Sequence, residues 1–235
     1  MVAKNKPTVE EKREQARKVI LDAAMELFHV KGYDNTTTRD IINKAGILNG
    51  SLYNRFKNKD EILISIVKDG LQEILAGMRA IMNNEKNLLL SVSFPGALQL
   101  YLAYHSPHIA ELLYRVHTMW PAVEAYADMN IKWSNEFLTN FGLDCFDSEE
   151  IRFGIESLIG STGNMIGAYV HGSKVDLKEA LGFHVLLVAT SLKMPLIGLD
   201  SIVERLQEIL SADDFVFMGH KVIHNRQSSN TEADN

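Results

Sequence analysis

Cysteine is almost missing from this 235-residue chain. Cys145 stands alone, so no disulfide can form within the chain, and the composition fits a reducing compartment. Long apolar runs are missing too. A membrane-spanning helix needs about 18 or more consecutive apolar residues. The nearest candidates, residues 158–170 and 185–192, are interrupted by Gly, Asn or polar residues. The opening MVAKNKPTVEEKREQ is charged and has no apolar centre, which is not the pattern of a secretory signal. These features predict a cytoplasmic protein with no membrane partner. Catalytic signatures are lacking as well. The chain has no GxxxxGK phosphate loop, no HExxH, no dinucleotide fingerprint after a strand and no evident Ser/His/Asp pairing. The expectation is a protein that is not an enzyme and has no cofactor and no metal. Alternating strand patterns with hairpin dipeptides are also missing.

Ordinary globular composition remains, with 46% hydrophobic and 23% charged residues. The net charge is −6, but it is unevenly spread. Residues 1–70 carry 13 Lys and Arg against 10 Asp and Glu, which leaves 11 against 20 for the remainder. A mildly basic head on an acidic body hints at a nucleic-acid-binding end. Helical signals run throughout. Thr8 and Glu11 form a capping box, apolar residues then recur at helical spacing from Ala16 to Phe28, and Gly32 ends the segment where a left-handed residue is wanted. Further helices are predicted over 59–82, after Pro95, from Ser106-Pro107, from Pro121 to about 141, and from Asp147 to about 171. Two more follow, from Asp176 to about 193 and from Ser201 to about 210. The polar end after His220 reads as disordered.

Within residues 36–56, Thr37 can cap a short helix with Asp40 reaching back. Ile41 and Ala45 lie on one face, Gly46 turns the chain, and Ile47 plugs the corner. A second short helix follows with Leu48, Leu52 and Phe56 four apart on its inward side. Helices this short do not persist alone. Sharing a core of Leu27, Phe28, Ile41, Ile47, Leu52 and Phe56 with the first helix, they make a helix-turn-helix. The outward side then presents Asn49, Gly50, Ser51, Tyr53, Asn54 and Lys57. Asn and Ser read base edges, Gly lets the backbone approach, and hydroxyls and Lys suit phosphates.

Residues 17–63 resemble the N-terminal domain of the tetracycline-repressor (TetR) family of bacterial transcriptional regulators. Ala23-Ala24, Leu27-Phe28, Gly32-Tyr33, Thr36-Thr37, Ala45-Gly46, Gly50, Leu52-Tyr53, Phe56 and Lys59 stand at the family spacings. Departures are Ile42 for the usual Ala, Leu48 for a Ser-like cap and Arg55 for His. Asn49 is expected to take over the capping, with Leu48 stapled onto Tyr53. The resemblance implies an all-α fold with a three-helix helix-turn-helix DNA-binding domain at 8–58. An effector-binding and dimerisation domain at 59–220 and a disordered tail at 221–235 complete it. It implies double-stranded DNA and a small-molecule effector as partners, a homodimer, and DNA contacts from Thr37, Thr38, Arg39, Asn49, Gly50, Ser51, Tyr53, Asn54, Lys57 and Lys59. Gly154, Gly160, Gly163 and Gly167 sit in one predicted helix, where each costs about 1 kcal/mol against Ala. Such residues are tolerated where something approaches closely, either across an interface or within one subunit. The family dimerises through its last two long helices, so Gly160, Gly163, Phe183, Leu187 and Thr190 are expected at a two-fold interface.

Residues 101–133 concentrate Tyr, His, Met and both tryptophans. An apolar aromatic wall with a few polar tips suits a ligand pocket, as it does an ordinary core. Tyr104, His117, Trp120, Met129 and Trp133 are the expected lining. His105, His108 and His117 have spacing that a metal site could use, but His105 precedes a helix cap and no Cys accompanies them, so none is expected. Cys145 lies among acids, a poor setting for a reactive thiol. The leading reading is a dimeric DNA-binding repressor released by a small apolar or amphipathic ligand. The alternatives are a ligand-independent DNA-organising or activating relative, and a helical enzyme using residues 101–133.

Overall fold

The computed structural model describes residues 8–138, 141–144, 147–212, 215–217 and 220–222. Ten α-helices lie among them: α1 (Val9–Lys31), α2 (Thr38–Ala45), α3 (Asn49–Tyr53), α4 (Lys59–Met82), α5 (Leu88–His105), α6 (Pro107–His117), α7 (Trp120–Leu138), α8 (Glu149–Val170), α9 (Leu177–Ser191) and α10 (Leu199–Ala212). The fold is all-α but for one short antiparallel hairpin that the sequence pattern did not announce, β1 (Phe215–Phe217) with β2 (His220–Val222). Three-residue strands are too short to show alternation. Phe215 anchors this one, packing edge-on against Tyr101 with ring centroids 5.7 Å apart. Lys221 and Val222, expected in a disordered tail, pair with Val216 and Phe215 instead. Cys145 and residues 223–235 lie outside the described residues. Two compact units divide within α4, one ending at Asp69 and the other starting at Gly70.

In the first unit, the Thr8 hydroxyl accepts from Glu11 N at 3.1 Å and Thr8 N donates to the Glu11 carboxylate at 2.6 Å, so both capping-box bonds of α1 are made. Gly32 ends α1 with φ +78° and ψ 158°, a positive-φ extended turn in place of the expected left-handed helical one. Thr37 and Asp40 box the start of α2, and Gly46 ends it in the left-handed conformation at φ +64°. Ile20, Ala24, Phe28, Ile41, Leu52 and Phe56 form the buried centre, while Leu27 and Ile47 are only half-buried. Leu48 departs from its expected inward place. It is the N-cap residue of α3, makes no side-chain cap bond and is 81% exposed. Asn49 is the first helical residue and not the cap, so its side chain is spared that duty.

The second unit is built around α5, whose side chains are buried from Leu89 to Ala103. It packs against α6, α7, α8, α9 and α10. A helix apolar all round belongs in a core. Pro95 sits inside α5, whereas the sequence pattern suggested that the helix starts after it; Asn87 caps the helix eight residues earlier. Proline has no N–H, so the carbonyl four residues back loses its helical donor. That carbonyl, Ser91 O, accepts instead from Trp133 Nε1 at 2.8 Å. Elsewhere the caps match the sequence closely: Ser106 precedes Pro107, and Asp176 caps α9. Ser148 caps α8, one residue beyond Asp147, and α10 begins at Leu199, two residues before Ser201.

The glycines of α8 meet different surroundings. A Cβ on Gly163 would lie 2.6 Å from His117 Cβ, and one on Gly167 would lie 2.6 Å from the Tyr114 ring. These two let α6 approach α8 within the subunit, so Gly163 does not belong to an outer interface as expected. Gly160 is exposed with open space around it. Gly163→Ala should therefore destabilise the protein by about 1–3 kcal/mol through overpacking. Gly160→Ala should be neutral or stabilising by about 0.5–1 kcal/mol. Urea unfolding of the two variants measures both.

His117 and His184 are buried with their pKa values pushed down to about 4, chiefly by desolvation and opposed by hydrogen bonds to Leu113 O and Ser93 O. Both stay neutral when folded. The unfolded chain takes up protons on them below its ordinary value of about 6.5. Stability should thus be fully present above that value and decline as pH falls toward 4. The midpoint of thermal unfolding should drop between pH 7 and 5, with a shallower slope in His117→Gln.

Candidate functional site

The polar face of the first unit rests on a short lever. Leu52 is fully buried, which turns the rest of α3 outward. Asn49, Gly50, Tyr53, Asn54 and Lys57 are exposed, and Ser51 is half-buried. Arg39 adds an exposed cation from α2. Thr38 Oγ1 and Tyr53 Oη lie 3.2 Å apart, so the start of α2 and the end of α3 meet through two hydroxyls that also face outward. A Cβ on Gly50 would meet nothing within 4 Å, which leaves the backbone itself open to an approaching surface. Hydroxyl and ammonium groups at Thr38, Tyr53 and Lys57 thus flank the amide and hydroxyl groups of Asn49, Ser51 and Asn54, group types that suit phosphates and base edges respectively.

Two residues expected on this face are otherwise engaged. Thr37 uses its hydroxyl twice, accepting from Asp40 N at 3.1 Å and donating to the Asp40 carboxylate at 2.6 Å. That bond is the main reason the Asp40 pKa falls to about 2, with the Thr37 backbone N–H and Lys31 adding to it. Lys59 folds inward. Its ammonium donates to Tyr33 O and Thr36 O at 2.7 Å each and lies 4.1 Å from the centre of the Tyr33 ring. Partial burial lowers its pKa. Lys59 thus clasps the turn between α1 and α2 to the start of α4. Its role is to position the reading face more than to touch a phosphate. Sequence reasoning missed three further supports. Buried Thr36 donates between Gly32 O and Leu27 O, Tyr33 bonds Asp60, and Arg55 donates to Ser51 O at 2.8 Å. The adjacent Thr36-Thr37 pair was the available signal for the first, since only one of two threonines can serve as the cap.

In the second unit, the five residues expected to line a pocket do not share one. Trp120 is exposed at the start of α7, and Tyr104 is exposed with its ring edge-on to Tyr169. Met129 is buried, and Trp133 is committed to Ser91 O. His117 is buried against Tyr126, with ring centroids 5.3 Å apart. A small, partly open cavity lies elsewhere, between α5, α7, α8 and α9, with Gln99, Asn130, Ser134, Thr162 and His184 among its walls. The outer faces of α8 and α9 carry a different feature. Phe153, Phe183 and Leu186 are exposed there, and a groove of about 340 Å³ is lined by Met165, Tyr169, Val175, Phe183 and Leu187. Gly160 and Thr190 are exposed on the same two helices. No group of three or more His, Cys, Asp or Glu able to hold a metal occurs among the described residues. No described helix is long and apolar enough to cross a membrane.

Residues 20–66 match the sequence pattern of bacterial regulatory proteins of the tetR family, so this segment is a TetR-type helix-turn-helix. The HTH-type transcriptional repressor KstR2 of Mycobacterium tuberculosis is 37% identical over 70 residues, 30% of this chain and 35% of that protein. The chain spans about a third of the length of the curated relatives it matches. Among solved structures, RolR in complex with resorcinol superposes with a TM-score of 0.52 at 19% identity, covering 87% of this chain and 97% of that one. FadR from Bacillus halodurans superposes with a TM-score of 0.50 at 17% identity, covering 77% and 97%. The all-helical fold, with its helix-turn-helix segment near the N-terminus, is shared with these two structures.

Gly50→Ala separates reading from folding. The substitution meets no atom and favours the helix, so unfolding stability should hold or rise by about 0.4–1 kcal/mol while DNA affinity falls. Tyr53→Ala should weaken binding to all sequences alike, and Asn54→Ala should relax preference at one base position at a cost of about 1–3 kcal/mol. Titrating labelled duplexes with each variant checks these outcomes.

Proposed function

We propose that this protein is a dimeric, sequence-specific transcriptional repressor that reads a palindromic operator and is released by a small molecule. The observation that carries this reading is the exposed row Asn49, Gly50, Ser51, Tyr53 and Asn54 held outward by buried Leu52. A plain solvated face would not need a hydroxyl bridge from Thr38 or a clasp from Lys59. The relatives that share the DNA-binding segment include proteins named as repressors, which supports the sign of regulation. Residues 8–58 serve as the reading head and 59–220 as the effector and dimerisation domain, working in the cytoplasm.

One five-residue recognition helix gives limited affinity, so two heads on a fixed spacing are required. The exposed apolar row on α8 and α9 supports the dimer. Phe183 is 62% exposed, a heavy apolar load for a solvated surface. Gly160, Phe183, Leu187 and Thr190 form the centre of the proposed interface. An effector that favours one arrangement of the two heads over the other weakens operator binding by that difference in affinity. α4, which runs continuously from Lys59 in the first unit to Met82 in the second, transmits the change.

Selection of bound duplexes from a random pool at physiological salt tests this reading. It should enrich a palindrome whose half-sites lie about 34–36 Å apart or a multiple of that. Phe183→Glu should sediment as a monomer and lose roughly two orders of magnitude in affinity for that palindrome. A wild-type protein that sediments as a monomer and enriches no palindrome would reject the proposal. A palindrome bound with equal affinity in every metabolite extract would favour a ligand-independent regulator.

A further inference from the structure

The small cavity between α5, α7, α8 and α9 holds about 30 Å³, room for one water molecule. No Lys, Arg, Asp or Glu lines it. Its polar groups are oriented by backbone carbonyls. Gln99 Nε2 donates to Pro95 O at 3.3 Å, Asn130 Nδ2 to Tyr126 O at 2.8 Å, and His184 Nε2 to Ser93 O at 3.0 Å. A carbonyl only accepts, so in each case the N–H must be the atom turned toward it. Gln99 Oε1, Asn130 Oδ1 and His184 Nδ1 are then acceptors, beside the second N–H of each amide and the hydroxyls of Ser134 and Thr162. Gln99 is 2% exposed, and its Oε1 is buried with no partner. His184 Nδ1 has the Thr162 hydroxyl at 3.5 Å, the limit of bonding distance. Burial keeps the imidazole neutral, so it stays an acceptor at physiological pH.

We propose that this cavity anchors the effector and that the effector is an uncharged molecule presenting an O–H or N–H donor on an apolar body. The inference rests on the ligand-responsive reading above. A carboxylate, a phosphate or a coenzyme A ester would bring negative charge to a site that holds no cation and would leave the Gln99 oxygen without a donor, at a high desolvation cost. The void admits only the donor group itself. The apolar body must part the side chains of Ile159 on α8 and Val188 on α9, which wall the cavity. Binding thereby acts on the two helices that carry the proposed dimer face.

Calorimetric titration of the full-length protein with phenol, anisole and benzoate tests the chemistry. Phenol has the donor, anisole replaces its O–H with a methyl ether, and benzoate is an anion. Phenol should bind about tenfold tighter than either of the others, the worth of one buried hydrogen bond. Gln99→Met should erase that preference while keeping or raising the melting midpoint, because it removes an unpartnered buried acceptor. Asn130→Leu, at a half-buried position, should narrow the preference severalfold and stands in should Gln99→Met fail to fold. Phenol binding no tighter than anisole would overturn the proposal. So would a preference that survives both variants, or a Gln99→Met protein that melts lower while the wild type ignores phenol, since the cavity would then be a structural water site. Operator affinity is read separately on the selected palindrome. Phenol preference with operator binding unchanged would support the site and count against the ligand-responsive reading. Operator release by an anionic metabolite without phenol preference would do the reverse.

Discussion

The second unit depends on satisfying the backbone of a helix that water cannot reach. Every polar main-chain group of α5 must find its partner inside the protein, because an orphaned one costs as much as a lost hydrogen bond. Pro95 removes one donor from the middle of that helix and leaves Ser91 O without its usual bond. Trp133 of α7 supplies the replacement. Two positions on, Ser93 O takes a bond from His184 of α9, and a Cβ on Gly96 would fall within 2.2 Å of that imidazole. The defect in α5 thus lies beside the points where α7 and α9 grip it. The indole and the imidazole act as hydrogen-bonded pegs that fix which faces of those helices turn inward. One turn further on, Gln99 Nε2 donates to Pro95 O, and its buried oxygen has no protein partner.

The first unit was far more legible in the sequence than the second. Its signals are local: Thr8 with Glu11, Thr37 with Asp40, and Gly46 at a positive φ each declare a helix end within four residues. The errors came where a long-range partner decides. Leu48 was read inward from its spacing to Leu52, but α3 begins at Asn49, so the helical spacing does not extend back to Leu48. Lys59 looked like a phosphate ligand because a lysine at a helix start usually faces solvent. Its carbonyl partners, Tyr33 O and Thr36 O, are more than twenty residues away and invisible to local pattern. Pro95 misled in the same way: a proline marks a helix start by default, and its interior position is tolerated because Trp133, 42 residues from Ser91, supplies the donor that Ser91 O lacks.

The glycines of α8 show where spacing runs out. Four glycines in one helix announce close approach, yet spacing alone does not say whose surface approaches. At Gly163 and Gly167, His117 and Tyr114 of α6 fill the space a methyl would need, while the space beside Gly160 is open. Positions 160, 163 and 167 are neighbours on one stripe of the helix, so spacing cannot separate them, and only the placement of α6 does. The aromatic-rich stretch failed as a guide to a pocket for a related reason. Aromatic and imidazole groups serve buried cores as readily as ligand walls, and Trp133 and His117 spend their hydrogen bonds on backbone carbonyls.

The cavity walls were not legible at all, and the reason is general. Gln99, Asn130, Thr162 and His184 come from four helices spread over 86 positions of sequence, and none is unusual where it stands. What singles them out is bookkeeping of donors and acceptors, which exists only once the carbonyls are placed. Burying an unpartnered amide oxygen costs about 1–3 kcal/mol. A donor presented to the Gln99 oxygen would offset that cost, beside α8 and α9, the helices that also carry the exposed apolar residues Phe153, Phe183 and Leu186.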